Sequence, residues 1–128
     1  MISHITLGVA DIGRAVAFYG PLMALLGASL KFHDASAGWA GWQPSDADRP
    51  LFIVMRPFDG GPASAGNGAM TAFLAADRAT VDAVHAAAMQ AGAQSEGAPG
   101  LRPRYHDRYY GAYFRDPEGN KLAVCCHD

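Results

Sequence analysis

The sequence predicts an α+β protein of two βαβββ units, with paired, curled mixed sheets and helices on the outside. Three observations carry that expectation. First, His4-Ile5-Thr6-Leu7-Gly8-Val9-Ala10-Asp11 reads like Met70-Thr71-Ala72-Phe73-Leu74-Ala75-Ala76-Asp77, an apolar run closed by an aspartate. Second, each run precedes an alanine-rich amphipathic segment that stops at a glycine, Gly27 or Gly92. Third, three strand-like segments follow each glycine. Repetition at half the chain length sets the architecture before any motif is weighed.

The elements follow in order. Ile2 to Val9 is a β-rich strand, and Asp11 caps the next helix by accepting hydrogen bonds from its first free amides. Ile12, Ala15, Val16, Tyr19, Met23 and Leu26 recur at helical spacing, so one face is buried. Gly20-Pro21 should kink or tighten this helix, because proline lacks the amide donor and crowds the preceding turn. Strands are expected at Ala28 to His33, Gly38 to Gln43 and Leu51 to Arg56, separated by turns rich in small and polar residues. Unit one thus covers about 1–58, a Gly/Pro/Ser-rich linker about 59–68, and unit two about 69–128, in one domain. Unit two restarts with a strand at Ala69 to Ala75, a cap at Asp77 and a helix to Ala91. Its remaining strands are expected at Ala93 to Ser95, Tyr109 to Arg115 and Leu122 to Cys126. The last two are joined by Asp116-Pro117-Glu118-Gly119-Asn120, with proline early and glycine late as tight turns require.

Composition narrows the function classes. Half of the residues are apolar and the net charge is −2, so nothing points to nucleic acid or a membrane surface. No apolar run approaches the roughly 20 residues of a membrane span. Met1 leads straight into a strand-like segment rather than a signal peptide. Cys125 and Cys126 are adjacent, which suits neither a disulfide framework nor a C-x-x-C motif. A reducing cytoplasm is the expected location.

His4-Ile5-Thr6-Leu7 with Asp11, Ala17-Phe18-Tyr19 before Leu26-Gly27, and Tyr110 to Val124 with its Asp116–Asn120 turn together resemble the vicinal oxygen chelate superfamily. That superfamily includes glyoxalase I, bleomycin-resistance proteins and extradiol dioxygenases. The resemblance covers the whole chain as a single glyoxalase-like domain and implies a homodimer. It also implies four metal-ligand positions, one on the first strand and one on the last strand of each unit. His4 matches the first. Phe52, Met70 and Ala123 stand at the others, so one conventional donor remains. Zinc usually holds three protein ligands even at open catalytic sites, and a thioether is a poor donor for hard or borderline divalent metals. The expectation is therefore no cofactor. The alternative is a divalent metal at an irregular site, since Ala123, Cys125 and His127 share a strand face and Cys125 or His127 could join His4.

Other residues divide between binding and packing. Arg102-Pro103-Arg104-Tyr105-His106-Asp107-Arg108-Tyr109-Tyr110 packs three guanidinium groups and three phenols into nine residues. Arginine's planar fork suits carboxylate or phosphate, and tyrosine offers a flat face and a hydroxyl. The alternative is a solvated loop entering a strand. Trp39 and Trp42 lie on opposite strand faces, so at most one meets a cavity. The candidate ligand-binding set is His4, Trp42, Arg102, Arg104, Tyr105, His106, Tyr110 and Tyr113. His85 is expected to pack, and Cys125 and Cys126 to be small buried strand residues, with no base beside them. The expected function is binding of a small molecule, anionic or aromatic, as in bleomycin-resistance proteins and without the usual metal. The alternatives are a metal-dependent lyase resembling lactoylglutathione lyase and a metal-free enzyme with His4 or His106 as base.

Overall fold

The computed structural model describes all residues 1–128, which form two compact units, Met1–Ala65 and Gly66–Asp128. In unit 1, β1 (His4–Gly8) leads into α1 (Ile12–Leu25), then β2 (Ala28–Asp34), β3 (Trp39–Pro44) and β4 (Leu51–Met55). In unit 2, β5 (Thr71–Leu74) leads into α2 (Arg78–Gln90), then β6 (Gln94–Leu101), β7 (Tyr110–Arg115) and β8 (Lys121–Cys126). The sheets are ordered β1-β4-β3-β2 and β5-β8-β7-β6. In each, the first strand runs parallel to the last and the other neighbours are antiparallel. The two βαβββ halves have the same topology.

Both helices start as the aspartates require. The Asp11 carboxylate accepts from the Arg14 amide at 3.0 Å, and Asp77 accepts from the Thr80 amide at 2.8 Å and its hydroxyl at 2.7 Å. Both helices end before a glycine in the left-handed region, Gly27 at φ 76° and Gly92 at φ 95°, where a side chain would be strained. α1 is helical from Ile12 to Leu25 with Pro21 inside it, so Gly20-Pro21 does not end the helix. Pro21 is on the exposed side, while Phe18, Tyr19, Leu22 and Met23 are buried. Burial at roughly 1.5–3 kcal/mol per large apolar side chain holds the turn that proline weakens.

Tyr19 sits at the centre of the unit 1 core, with ring centroids 5.0 Å from Phe52 and 6.1 Å from Trp42. In unit 2, Val81, Val84 and Ala88 of α2 are buried, as are Phe114, Leu122 and Val124 of its sheet. The strand expected at Ala93 to Ser95 extends much further, to Leu101. Gly97, Pro99 and Gly100 read as loop, yet β6 is an edge strand with irregular register between Ser95 and Gly97 and between Gly97 and Gly100. An edge tolerates a proline, and bulges absorb glycines.

The β7–β8 turn is held from within. Asp116 accepts from the Glu118 and Asn120 amides at 2.9 Å each, and the Asn120 amide nitrogen donates back to Asp116 Oδ2 at 3.0 Å. Asp116 and Asn120 are both buried. This part of the family-like motif is structural.

Candidate functional site

The sheet of unit 2 has two faces, and α2 covers one of them. Tyr110, Ala112 and Phe114 alternate onto that side: Tyr110 donates its hydroxyl to Asp82 of α2 at 2.6 Å, and Phe114 meets His85 edge-on. Gly111, Tyr113, Ala123 and Cys125 therefore lie on the far face, in the cross-strand pairs Gly111–Cys125 and Tyr113–Ala123. The segment before β7 folds beside this face, closed by a hydrogen bond from the Arg102 backbone N–H to the Tyr109 carbonyl at 2.9 Å.

Most of the predicted site residues gather there. Arg102 donates to the Ala98 carbonyl at 2.8 Å and lies 5.5 Å from the Tyr113 ring centre. Arg104 lies 4.9 Å from the Tyr105 ring centre and donates to the Tyr105 hydroxyl at 3.1 Å. Tyr105 and Tyr109 rings are 5.0 Å apart, and His106 stacks on His127 at 5.2 Å. The Tyr109 and Tyr113 hydroxyls are 3.1 Å apart. Burial is the main cause that pushes the Tyr109 phenol up from its ordinary value, helped by its bond to Tyr113 and by the neighbouring Cys125 thiol. It stays protonated as a donor at any physiological pH.

Strand parity places two of the predicted residues elsewhere. Tyr110 does not join this cluster: its hydroxyl is drawn to Asp82 on the α2 side, with Arg78 over its ring at 5.2 Å. Its neighbour Tyr109 is the one that lies in the cluster. Trp42 is only 2 % exposed, packed with Phe52 and Tyr19 on the α1 side of its sheet. Trp39 is the tryptophan on the far face of unit 1, against Phe32 at 4.6 Å. His4 is exposed at the start of β1, with the Ser3 hydroxyl 3.1 Å from Nδ1.

Sequence reasoning also passed over His127 and Cys125 as a working pair. His106 Nε2 is 2.9 Å from His127 Nδ1, and His127 Nε2 is 3.9 Å from Cys125 Sγ. The expectation that no imidazole lies beside the cysteines is thus overturned. The signal was there in strand alternation, since residues 125 and 127 share a face. The partnership with His106 depends on the loop fold and could not be read. In unit 1, an open hollow of about 440 Å³ lies at the end of β4, walled by Met55, Pro57, Phe58 and Pro62. Its arginine, Arg56, donates to the Ala35 and Ser36 carbonyls, so the hollow offers little polar recognition.

The family model for the glyoxalase/bleomycin resistance protein/dioxygenase superfamily matches residues 1–124. The chain belongs to that superfamily. A glyoxalase/bleomycin resistance protein from Albidiferax ferrireducens T118 is 31 % identical with a TM-score of 0.85, over 100 % of this chain and 99 % of that one. A glyoxalase-related enzyme from Fulvimarina pelagi has a TM-score of 0.75 at 17 % identity, covering 98 % and 87 %. Lactoylglutathione lyase from Agrobacterium tumefaciens has a TM-score of 0.66 at 21 % identity, covering 98 % and 92 %. These last two likenesses show the glyoxalase fold alone. No curated protein matches the sequence.

The superfamily's metal positions can now be compared between the two units. The Val9 amide donates to the Met55 carbonyl as the Ala75 amide does to the Cys125 carbonyl, which makes Met55 the counterpart of Cys125. Ile53, rather than Phe52, is then the counterpart of Ala123. Phe52 pairs with Ile5 on the α1 side and packs on Tyr19. Either residue is hydrocarbon, so the donor set is unchanged: His4, Ile53, Met70 and Ala123. Met70 is 47 % exposed and Ala123 fully buried. No three His, Cys, Asp or Glu side chains converge as a metal cage requires. The residues present do not fit the superfamily's metal.

Proposed function

We propose that this superfamily member binds a small anionic or aromatic molecule without a metal, using the Arg102–Tyr113 segment and the far face of unit 2. The observation that carries the reading is the cluster of Tyr105, His106, Tyr109, Tyr113 and His127, with two arginines lying against its rings. Flat rings offer dispersion contact to a planar ligand, and a guanidinium offers paired donors to a carboxylate or phosphate. Hydrocarbon at two of the four inherited ligand positions, and a thioether at a third, support the metal-free part. The chain's two cysteines are free thiols, which supports a reducing cytoplasm. We also infer that two copies pair, as the family resemblance implies, and sedimentation of the purified chain checks this.

The deciding experiment is thermal unfolding against a panel of benzoate-like, nucleotide-like and phosphate anions, beside zinc, nickel and manganese. A ligand at a hundred times its Kd adds about 2.7 kcal/mol, a shift of several degrees. The expected result is a shift with one anion class that Arg104→Ala and Tyr105→Ala reduce. Silence with every organic anion, together with stabilisation by a divalent metal and stoichiometric metal in the purified chain, overturns the reading in favour of a metal-dependent lyase.

A further inference from the structure

The contacts among His106, His127 and Cys125 have a direction. The Arg108 amide donates to His106 Nδ1 at 3.1 Å, so a neutral His106 carries its proton on Nε2. That Nε2–H donates to His127 Nδ1 at 2.9 Å, so neutral His127 in turn carries its proton on Nε2. This last N–H faces the Cys125 sulfur at 3.9 Å. Tyr109 lies alongside, its hydroxyl 3.1 Å from that of Tyr113. Gly111 makes room for both side chains: a methyl there would come 2.8 Å from Tyr109 Cε1 and 3.3 Å from Cys125 Cβ. One N–H is thus aimed at the sulfur, and a donor there stabilises the charge that develops as the sulfur attacks. Cys126, the next residue, faces the α2 side in the pair Tyr110–Cys126 and is 1 % exposed, against 6 % for Cys125.

We propose that Cys125 is a nucleophilic thiol site for soft, planar electrophiles of the α,β-unsaturated carbonyl class, with His127 as the donor to its sulfur and His106 as a positioning residue. The step adds Cys125 S–H across the carbon–carbon double bond. A sulfur–carbon bond forms at the β-carbon, and the π pair moves to the α-carbon, which takes up the proton the thiol gives up. No oxidant, reductant or metal enters the balance. The neighbouring tyrosine rings supply flat surfaces for the conjugated system, and thiolate sulfur prefers soft carbon. This inference goes beyond reversible binding and can stand or fall apart from it, because a thiol adduct is measured whether or not any anion shifts the unfolding temperature.

The test is native-state alkylation with N-ethylmaleimide, the site assigned by fragment mass spectrometry on the unmodified protein. Cys126→Ala and Cys125→Ala, each leaving one thiol, give the two rates separately. Cys125 is expected to react at least tenfold faster than Cys126 in the native protein, with the two equal in denaturant. Because greater exposure alone could produce that ratio, the pH profile decides. His127→Ala should lower the Cys125 rate about tenfold at pH 7, with the deficit closing near pH 9.5, where thiols ionise unaided. His127→Gln, which keeps a donor near Nε2, should restore part of the rate. His106→Ala should show a smaller deficit with the same pH trend, and His106→Gln should rescue it. Equal native rates for the two cysteines, or a His127→Ala rate that is unchanged or lowered equally at every pH, overturns the proposal. The site assignment on unmodified protein needs no variant to fold.

Discussion

A single step along the chain separates a residue on the helix-covered face of a sheet from one on its far face. Tyr109 and Tyr110 are neighbours with the same side chain, yet one turns to Cys125 and Tyr113 while the other is hydrogen-bonded to Asp82 of α2. Trp39 and Trp42 divide in the same way about the sheet of unit 1. The segment from Arg102 to Tyr113 was legible as unusual because arginine and tyrosine crowd it. Which of its tyrosines faces the cluster was not, because parity is set by where β7 begins, and that depends on pairing with β8. A prediction follows for Tyr110. Tyr110→Phe should cost about 1 kcal/mol of stability, the usual worth of a lost hydrogen bond, and leave any ligand-induced thermal shift unchanged. Urea unfolding with and without ligand measures both. A lost ligand shift would return Tyr110 to the binding set.

The helices show how far local signals reach. Both caps and both stopping glycines were readable because each is a short-range device: a carboxylate accepting nearby amides, and a residue free to adopt positive φ. Pro21 is held inside α1 because its local cost is outweighed by burial on the opposite side of the helix. Leu22, fully buried there, should cost about 2–5 kcal/mol on Leu22→Ala, read from denaturant unfolding. The α2 cap has a pH signature. The Thr80 hydroxyl first and the Thr80 amide second hold the Asp77 carboxyl below its ordinary 3.8. Its stabilising contribution is therefore present above about 3.8 and is lost as pH falls through the lower folded value. Asp77→Asn should keep the cap and flatten that acid loss, whereas Asp77→Ala should lower the unfolding midpoint at pH 7 as well. His85 acts in a higher range. Burial, partly offset by the Asp82 charge, holds it below its ordinary 6.5. The fold favours its neutral form, so stability should decline as pH drops below 6.5 towards the folded value. His85→Gln should reduce that slope between pH 7 and 5, and an unchanged slope would remove His85 as its source.

At the scale of the whole chain, the half-length repeat predicted the two βαβββ units, and the structure supplied their strand order. The same repeat set Met70 opposite His4 and exposed the loss of metal donors. On the metal-free reading we propose, a chelator should leave the thermal unfolding midpoint within about 1 °C. A larger fall, restored by one divalent metal, would point to an irregular cation site. What the sequence determined by itself was whatever repeats or acts over a few residues: periodicity, caps, stops, turns and the chemistry absent from the family's ligand positions. Only the tertiary structure decided that β6 continues through Pro99, that Ile53 rather than Phe52 matches Ala123, and that His106 meets His127. Those outcomes depend on register and loop closure between distant segments. Shifting a strand by one residue exchanges its two faces at little local cost, so packing across the sheet makes the choice.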